Sequence, residues 1–523
     1  MTLLSTLARH GHGLVLAAIL VVGVLLRFTA LDFGAGVPGV RPDEGIALSV
    51  LALMPTVSLP PTSFIYGGGY FYPLYAFVRL WSLFAWPDGI AAQITHDPFA
   101  VRWAVRAWSA VLSAASIGVV YLAGRALANA RTGLVAAALL ATGTLAVREA
   151  HFAKPDAAAA FAAALLLYAI ARHWDSVRRR ALGIGAAAGL VLSVKACVGL
   201  LPAALVALAA PPGVTAEARR RAMAASLVVG AAALATVALV LNVFCLLRPT
   251  ETWNVLQLVS DHVRIAHWVG VDRLPSPLRY HWDVSLRYGC GLGVTLLAPL
   301  AIARALWIGG SARIIAIAVL GYTAMAVSGK IALARYLLPI VPGLALLVAA
   351  LVVAVGDRLA AHTGRPALVA TCLTLPLVVG PLWNSTTLVR LLGRTDTRAL
   401  AADWIAANVP EDAALASFGA PAIGTDFGRP PTGARPFFPG LPPPQWRGHG
   451  VRYVISFFYP IPYADQEMPA TTPDLERIAL FDPFDGPLDD PILEPVDAFF
   501  LPLAHFSGIV RPGPRIAVYA VRP

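Results

Sequence analysis

"GHGLVLAAILVVGVLLRFTAL", residues 11–31, decides the class of this chain. An apolar run of this length crosses a ~30 Å hydrocarbon core, which takes about 20 residues of helix. Shortly after it, "VRPDEGIALSV" at 40–50 sets Asp43 beside Glu44. A carboxylate pair at the edge of a first membrane helix is either a helix cap at the water interface or a group that does chemistry there. The rest of the chain is equally apolar: 58% of its 523 residues are hydrophobic and 13% charged, with mean hydropathy +0.70. A soluble chain carries about 25% charged residues. The composition therefore predicts a polytopic α-helical membrane protein. A transmembrane barrel would instead show alternating segments of about 10 residues.

The net charge of +11 is divided unevenly: residues 1–395 sum to +17 and residues 396–523 to −6. The acidic part also holds half of the 42 prolines. This split predicts a membrane module over 1–384 and a small C-terminal α/β soluble domain over 385–523. The basic excess marks loops and anionic lipid rather than nucleic acid. Cys197, Cys245, Cys290 and Cys372 lie in or beside apolar runs without metal-ligand spacing, which reads as buried thiols. No small-residue cleavage site follows the first apolar run, so it reads as an uncleaved helix.

About eleven spans are expected, at 12–31, 102–127, 132–148, 156–172, 181–194, 196–211, 222–247, 288–308, 313–328, 331–355 and 366–384. The segment 181–211 also reads as one hairpin broken at "VKACVG". With Arg9 on the cytoplasmic side, the short basic loops all fall on that side, as the positive-inside rule requires. These loops carry Arg125 and Arg131, Arg172 with Arg178 to Arg180, Arg219 to Arg221, Arg313, and Arg358 with Arg365. The outward face then receives a long first loop (32–101), the turn "REAHFAKPD", the loop 248–287 and the C-terminal domain. "FIYGGGYFYPLYAFVRLWSLFAW" (64–86) is apolar enough to span, but doing so would invert every later loop. Its aromatic density and Arg79 suit a helix lying on the surface. In the C-terminal part, "AALASF", "GVRYVISFFY" and "PRIAVYAVR" read as strands and "DTRALAADWIAANVP" as a helix.

Three groups of residues are candidates for chemistry. Pro42 can open a helix whose dipole Asp43 and Glu44 complement, yet capping does not account for the glycine-rich approach "FGAGVPGVRP". Asp156 can cap the helix that begins "AAAAFAAALLLYA", but a cap needs one polar residue and this turn holds Arg148, Glu149, His151, Lys154 and Asp156. Charges this near hydrocarbon are costly and mark function. Third, Lys195, Lys330, Arg335 and the arginines of 248–287 lie where the positive-inside rule disfavours them. Either they snorkel to headgroups or they meet an anionic ligand such as a phosphate. His96, His151, His262, His267 and His281 fall on the same face without specific metal spacing, so a divalent metal stays open. "GGG" at 67–69 lacks the residues of a phosphate loop.

The order of these features resembles the GT-C membrane glycosyltransferases, in the protein O-mannosyltransferase and lipid A aminoarabinose transferase branch. The likeness rests on the acidic pair after the first span and on "VRWAVRAWSAVLSAASIGVVYLAGRALANARTGLVAAALLATGTLAVREAHFAKPDA". "RYLLPIVP" and "DTRALAADWIAANVP" add to it. It implies inverting transfer of a sugar, hexose or pentose, from a polyprenyl-phosphate-linked donor to an acceptor hydroxyl. The acceptor is a lipid, glycan or protein, and the place is the outer face of a bacterial cytoplasmic membrane. The resemblance assigns Asp43 as general base, Asp156 as the second acidic position and Glu44 as a partner. Lys195, Lys330, Arg335, His151 and Arg102 become substrate-binding candidates, and no cofactor is required. No β-trefoil insertion is present, so the acceptor does not carry over. A multi-span transporter or flippase, or a non-catalytic polyprenyl-phosphate-binding protein, would carry similar charges.

Overall fold

The structure is a computed structural model. It describes all residues except Met1, Pro42, 55–65, 212–214, 216–217, 266–269, 362–363, 419–430, Tyr463, 469–473, Ala498 and Pro523, together with the side chains of residues 2–10 and of His262. His262 and His267 as ligand candidates therefore lie outside the described residues. The chain forms two compact units: Met1–Phe28, Glu44–Ala266 and Pro275–Ser385 make the first, and Thr29–Asp43, His267–Leu274 and Thr386–Pro523 the second.

The first unit is helical. It opens with α1 (Thr2–Phe28), α2 (Glu44–Leu53), α3 (Gly68–Ala85), α4 (Gly89–His96) and α5 (Pro98–Leu127). Next come α6 (Ala130–Thr142), α7 (Thr144–Ala150), α8 (Asp156–Ala171), α9 (Val177–Lys195), α10 (Leu201–Ala209) and α11 (Arg219–Leu241). α12 (Val243–Leu247), α13 (Pro249–Arg264) and α14 (Pro277–Tyr280) lead through a π-helical turn, His281–Leu286, into α15 (Arg287–Gly289). The unit ends with α16 (Leu292–Ile308), α17 (Gly310–Ala326), the 3-10 turn Ala334–Ile340, α18 (Val341–Ala360) and α19 (Pro366–Leu392). Caps place several starts: Asp97 accepts from the N–H groups of Phe99 and Ala100, Asn129 from Thr132, and Ser176 from Arg179.

Among the described residues, five helices are long and apolar enough to cross a membrane, or seven if each bent pair counts as one span. Other expected spans fall on apolar helices of 10–17 residues such as Asp156–Ala171 and Gly310–Ala326. The expectation of eleven counted apolar runs, and some of those runs are interrupted by breaks that shorten the helix. The helix Ala334–Ala360 is the most enclosed of the five, with 78% of its apolar window buried. α9 and α11 approach closely because Gly185 faces the carbonyl of Gly230 and Gly189 that of Leu234, leaving no room for a Cβ.

The bend between α6 and α7, 58° at Gly143, shows how a break is tolerated in an apolar interior. Breaking the helix orphans carbonyls that must find donors. The Leu139 carbonyl accepts from Gly143 N–H at 3.1 Å. Those of Leu140 and Ala141 each accept from the Arg27 guanidinium at 2.9 Å. The Thr142 carbonyl accepts from Ser385 Oγ at 2.8 Å. Arg27 is fully buried and also donates to Ser113 Oγ at 2.8 Å. A buried cation here replaces a missing turn of helix. We expect Arg27→Met to leave two buried carbonyls unpaired, at about 1–3 kcal/mol each, and thermal unfolding in detergent should show the loss.

The second unit is built on a five-stranded sheet in the order β2-β1-β3-β5-β4. Its strands are β1 (Ala414–Phe418), β2 (Phe437–Phe438), β3 (Val451–Phe458), β4 (Leu475–Phe481) and β5 (Arg515–Val521). β1 pairs in parallel with β2 and β3, while β5 runs antiparallel to β3 and β4. α20 (Thr397–Asn408) is capped by Asp396 and buries Ala401 and Ile405 with Leu415, Ile455, Ile516 and Val518. The segment 29–43 belongs to this unit. The buried Arg41 guanidinium grips Asp497, with Nη2–Oδ2 at 2.8 Å, and stacks on Phe499, while Phe33 meets the same ring edge-on. The glycines of "FGAGVPGVRP" serve turns within the loop itself. Gly34 has φ +68° against Val40, and Gly36 has φ +78°.

Candidate active site

Glu44, the first residue of α2, is buried, and its carboxylate is taken up by protein groups on every side. Arg106 of α5 donates in a fork, Nε to Oε1 at 2.9 Å and Nη2 to Oε2 at 2.7 Å. The Ala153 N–H donates to Oε1 at 2.9 Å, and Arg102 Nε stands 3.7 Å from Oε2. One carboxylate thus ties the start of α2 to α5 and to the turn that leads into α8. Burial alone would raise the Glu44 carboxyl, but Arg106, the Ala153 N–H and Arg102 outweigh it and hold it below the usual carboxylate range. Because the shift is downward, the pair stabilises the fold above the ordinary carboxylate pKa, and that contribution is lost as pH falls through the lower value in the folded chain. Glu44→Gln should abolish this acid-side loss and lower stability by about 3–5 kcal/mol, the cost of leaving a buried partner charged and alone. Melting curves of both proteins over an acid pH series would show this.

Asp43 lies one peptide bond earlier, half-buried and with φ +69°, a left-handed backbone that an aspartate tolerates better than most residues. Such a conformation at a non-glycine residue is sparsely populated and clusters at functional positions.

Asp156 begins α8, but its side chain makes no capping bond. It is buried and paired instead with the ammonium of Lys195, the last residue of α9. Lys154 and Arg335 also act on it electrostatically, so three cations bear on one carboxylate. Among the described residues, Asp156 Oδ2 has no hydrogen-bond partner. The ring of Tyr336 lies 5.6 Å from the Lys195 ammonium and 6.0 Å from the Arg335 guanidinium, so one aromatic face serves both cations. Lys195 keeps about a fifth of its side chain accessible, which leaves the cluster a way out to a ligand. The buried hydroxyl of Tyr70 in α3 lies in the field of both Glu44 and Asp156 and bonds to neither.

The remaining sequence candidates divide. His151 is buried and its Nδ1 meets the Val147 carbonyl at 2.8 Å. Arg102 faces Glu44, and Arg335 joins the Asp156 cluster. Lys330 is exposed; its backbone N–H donates to Val263 at 2.9 Å. Among the described residues no group of three His, Cys, Asp or Glu could hold a metal ion. Sequence reasoning missed Arg106, Tyr70 and Tyr336. Arg106 was legible in principle, being four residues after Arg102 and so on the same helix face.

"GGG" at 67–69 is a packing device. Gly67 N–H donates to the Val194 carbonyl at 3.2 Å, Gly68 N–H to Asn242 Oδ1 at 3.1 Å, and Asn242 Nδ2 to Ser193 Oγ at 3.0 Å. A Cβ on Gly69 would stand 2.8 Å from the Ser193 carbonyl carbon. These glycines seat the start of α3 against the end of α9, two residues from Lys195. Gly69→Ala should displace that end, lowering thermal stability and the activity that depends on Lys195 together. Restoring full activity at reduced temperature would disprove the link to Lys195.

Residues 83–243 match the family described as dolichyl-phosphate-mannose-protein mannosyltransferase. That stretch contains α5 to α9 and so carries Arg102, Arg106, Asp156 and Lys195. The fold of the chain is similar to the archaeal oligosaccharyltransferase AglB from Archaeoglobus fulgidus, solved in complex with an inhibitory peptide and a dolichol-phosphate. The identity is 12% and the TM-score 0.54 over 86% of this chain and 69% of that one. It is also similar to apo ArnT from Cupriavidus metallidurans, at 16% identity and TM-score 0.50 over 98% of each chain. No characterised protein matches by sequence alone. The mostly helical, multi-pass membrane architecture expected from composition agrees with these neighbours.

Proposed function

We propose that this GT-C chain transfers a sugar from a polyprenyl-phosphate-linked donor to an acceptor hydroxyl, with inversion, at the outer face of the cytoplasmic membrane. The observation that carries the reading is the cluster of Lys195, Lys154 and Arg335 around the buried Asp156, beside the lone Tyr70 hydroxyl. Cations held in an apolar interior by one carboxylate and one aromatic ring favour a further anion, and the lipid phosphate of the donor supplies one. The dolichol-phosphate in the AglB complex supports this class of ligand.

In the reaction, the acceptor oxygen attacks the anomeric carbon while the bond from that carbon to the phosphate oxygen breaks. The electron pair leaves with the polyprenyl phosphate, and Lys195 and Arg335 stabilise the charge that grows there. Asp43 takes the proton of the attacking hydroxyl. Glu44 is a positioning residue rather than a second base, because Arg106 and the Ala153 N–H already occupy its oxygens. Asp156 holds Lys195 and has Oδ2 available to orient the acceptor. Arg102 supports Glu44, and His151 braces the turn.

Sugar transfer from purified polyprenyl-phosphate donors tests this. Asp43→Asn should lower kcat by about 10²–10⁴, the usual contribution of a general base, with donor binding retained. Asp156→Asn should weaken donor binding as well, since it releases Lys195. Unchanged transfer in both variants would sink the assignment. Donor binding without any transfer in the wild type would favour a flippase or a binding protein.

A further inference from the structure

Outside this cluster, the first unit has a cavity of about 520 Å³ between α15–α16 and α19. It lies where one helix breaks beside two prolines of its neighbour. The chain turns by 118° between Pro277–Gly289 and Leu292–Ile308, through Gly291 at φ +97°. Opposite, α19 carries Pro376 and Pro381, and Pro381 has no N–H to give the Leu377 carbonyl four residues earlier. Gly291 packs on Pro381, Gly293 packs on Leu377, and Gly380 faces open space, so no side chain fills the gap.

Its surroundings identify the solvent it opens to. On α16, Leu292, Leu296 and Leu300 are exposed at four-residue spacing, and on α19 so are Leu375, Val379 and Trp383. Two exposed apolar stripes beside one groove face acyl chains. One end of the groove differs: Arg287, Tyr288, Trp383 and Asn384 line it. Tyr and Trp gather where membrane meets water. Arg287 is exposed and lies 5.2 Å from the Tyr288 ring, and among the described residues it meets no carboxylate within ion-pair distance. A cation with an amide beside it, at the headgroup end of a lipid-facing groove, matches a phosphate headgroup with a hydrocarbon tail.

We propose that this groove is a binding site for an anionic membrane phospholipid, with its phosphate at Arg287 and Asn384 and a chain along α16 and α19. The occupant is a bilayer lipid rather than the donor, because the groove opens along its length to the apolar stripes. The Thr144 hydroxyl at the start of α7 donates to the Pro381 carbonyl at 3.4 Å, so a lipid seated here braces α7, the helix that leads to the Asp156 turn. The site stands whether or not the chain transfers sugar.

Native mass spectrometry of the detergent-solubilised full chain, titrated with phosphatidylglycerol, phosphatidylcholine or a polyprenyl monophosphate, tests it. Wild type should retain one phosphatidylglycerol and no phosphatidylcholine. Arg287→Ala should weaken that binding about fivefold, the usual contribution of one basic side chain toward anionic lipid. Gly380→Leu, which meets no clash, should fill the groove and abolish binding without unfolding the chain. Equal retention of phosphatidylcholine, or retention unchanged in both variants, would overturn the site. So would displacement of phosphatidylglycerol by polyprenyl monophosphate with the same dependence on Arg287, which would make it a second prenyl-phosphate site.

Discussion

The site depends on one buried ion pair. Glu44 and Arg106 meet in a fork, and the Ala153 N–H completes the coordination of the carboxylate. A carboxylate buried this deeply is costly unless it is paired and hydrogen-bonded. Three pieces far apart in sequence are therefore fixed to one another: the start of α2, a face of α5 and the turn before α8. The Asp156 turn has its position because a residue more than a hundred positions earlier reaches its backbone. Glu44 is the peg that locates this turn.

The same economy recurs at Arg27 and Arg41. Each is a fully or nearly fully buried arginine whose guanidinium bonds acceptors within its own unit. Arg27 serves the carbonyls freed by the break at Gly143, while Arg41 ties the loop 29–43 to Asp497 within the second unit. In an apolar interior a broken helix must return its polar groups to the protein, since no water is available to take them. Broken helices in turn create the short segments and turns on which polar site residues can stand. Arginine, with a planar fork of donors, suits this task better than lysine.

Much of this was legible in the sequence because composition and periodicity report burial. The apolar runs, the acidic turn before α8, the helix at "DTRALAADWIAANVP" and three strands all lie where local pattern places them. What stayed hidden depends on contacts between distant residues. Arg106 lies on the same helix face as Arg102, yet nothing local shows that both point at Glu44. Asp156 has the position of a cap, and only the end of α9 reveals that its partner is Lys195. The glycines at 67–69 resemble a ligand loop in isolation and prove to be the floor of a helix contact. The short strands Phe437–Phe438 and Leu475–Phe481 gave little signal, the first by its length and the second by its exposed, charged face.

The two acidic positions differ in what holds them, and the difference sets what each can do. Glu44 is saturated, with both oxygens engaged by fixed donors, so a substrate proton has nowhere to go on it. Asp156 is held from one side, by Lys195, and keeps one oxygen without a bond. Asp43 is held by backbone in a left-handed conformation. A group that must exchange partners during a reaction cannot be saturated in the resting state, whereas a group that must keep its neighbours in place has to be. On that criterion Asp156, with Oδ2 unbonded among the described residues, is the more open of the two buried carboxylates, and Glu44 holds the frame. The adjacent carboxylates at 43 and 44, identical in charge and one residue apart, differ in backbone and burial: Glu44 is buried in an arginine fork, and Asp43 is half-buried with φ +69°.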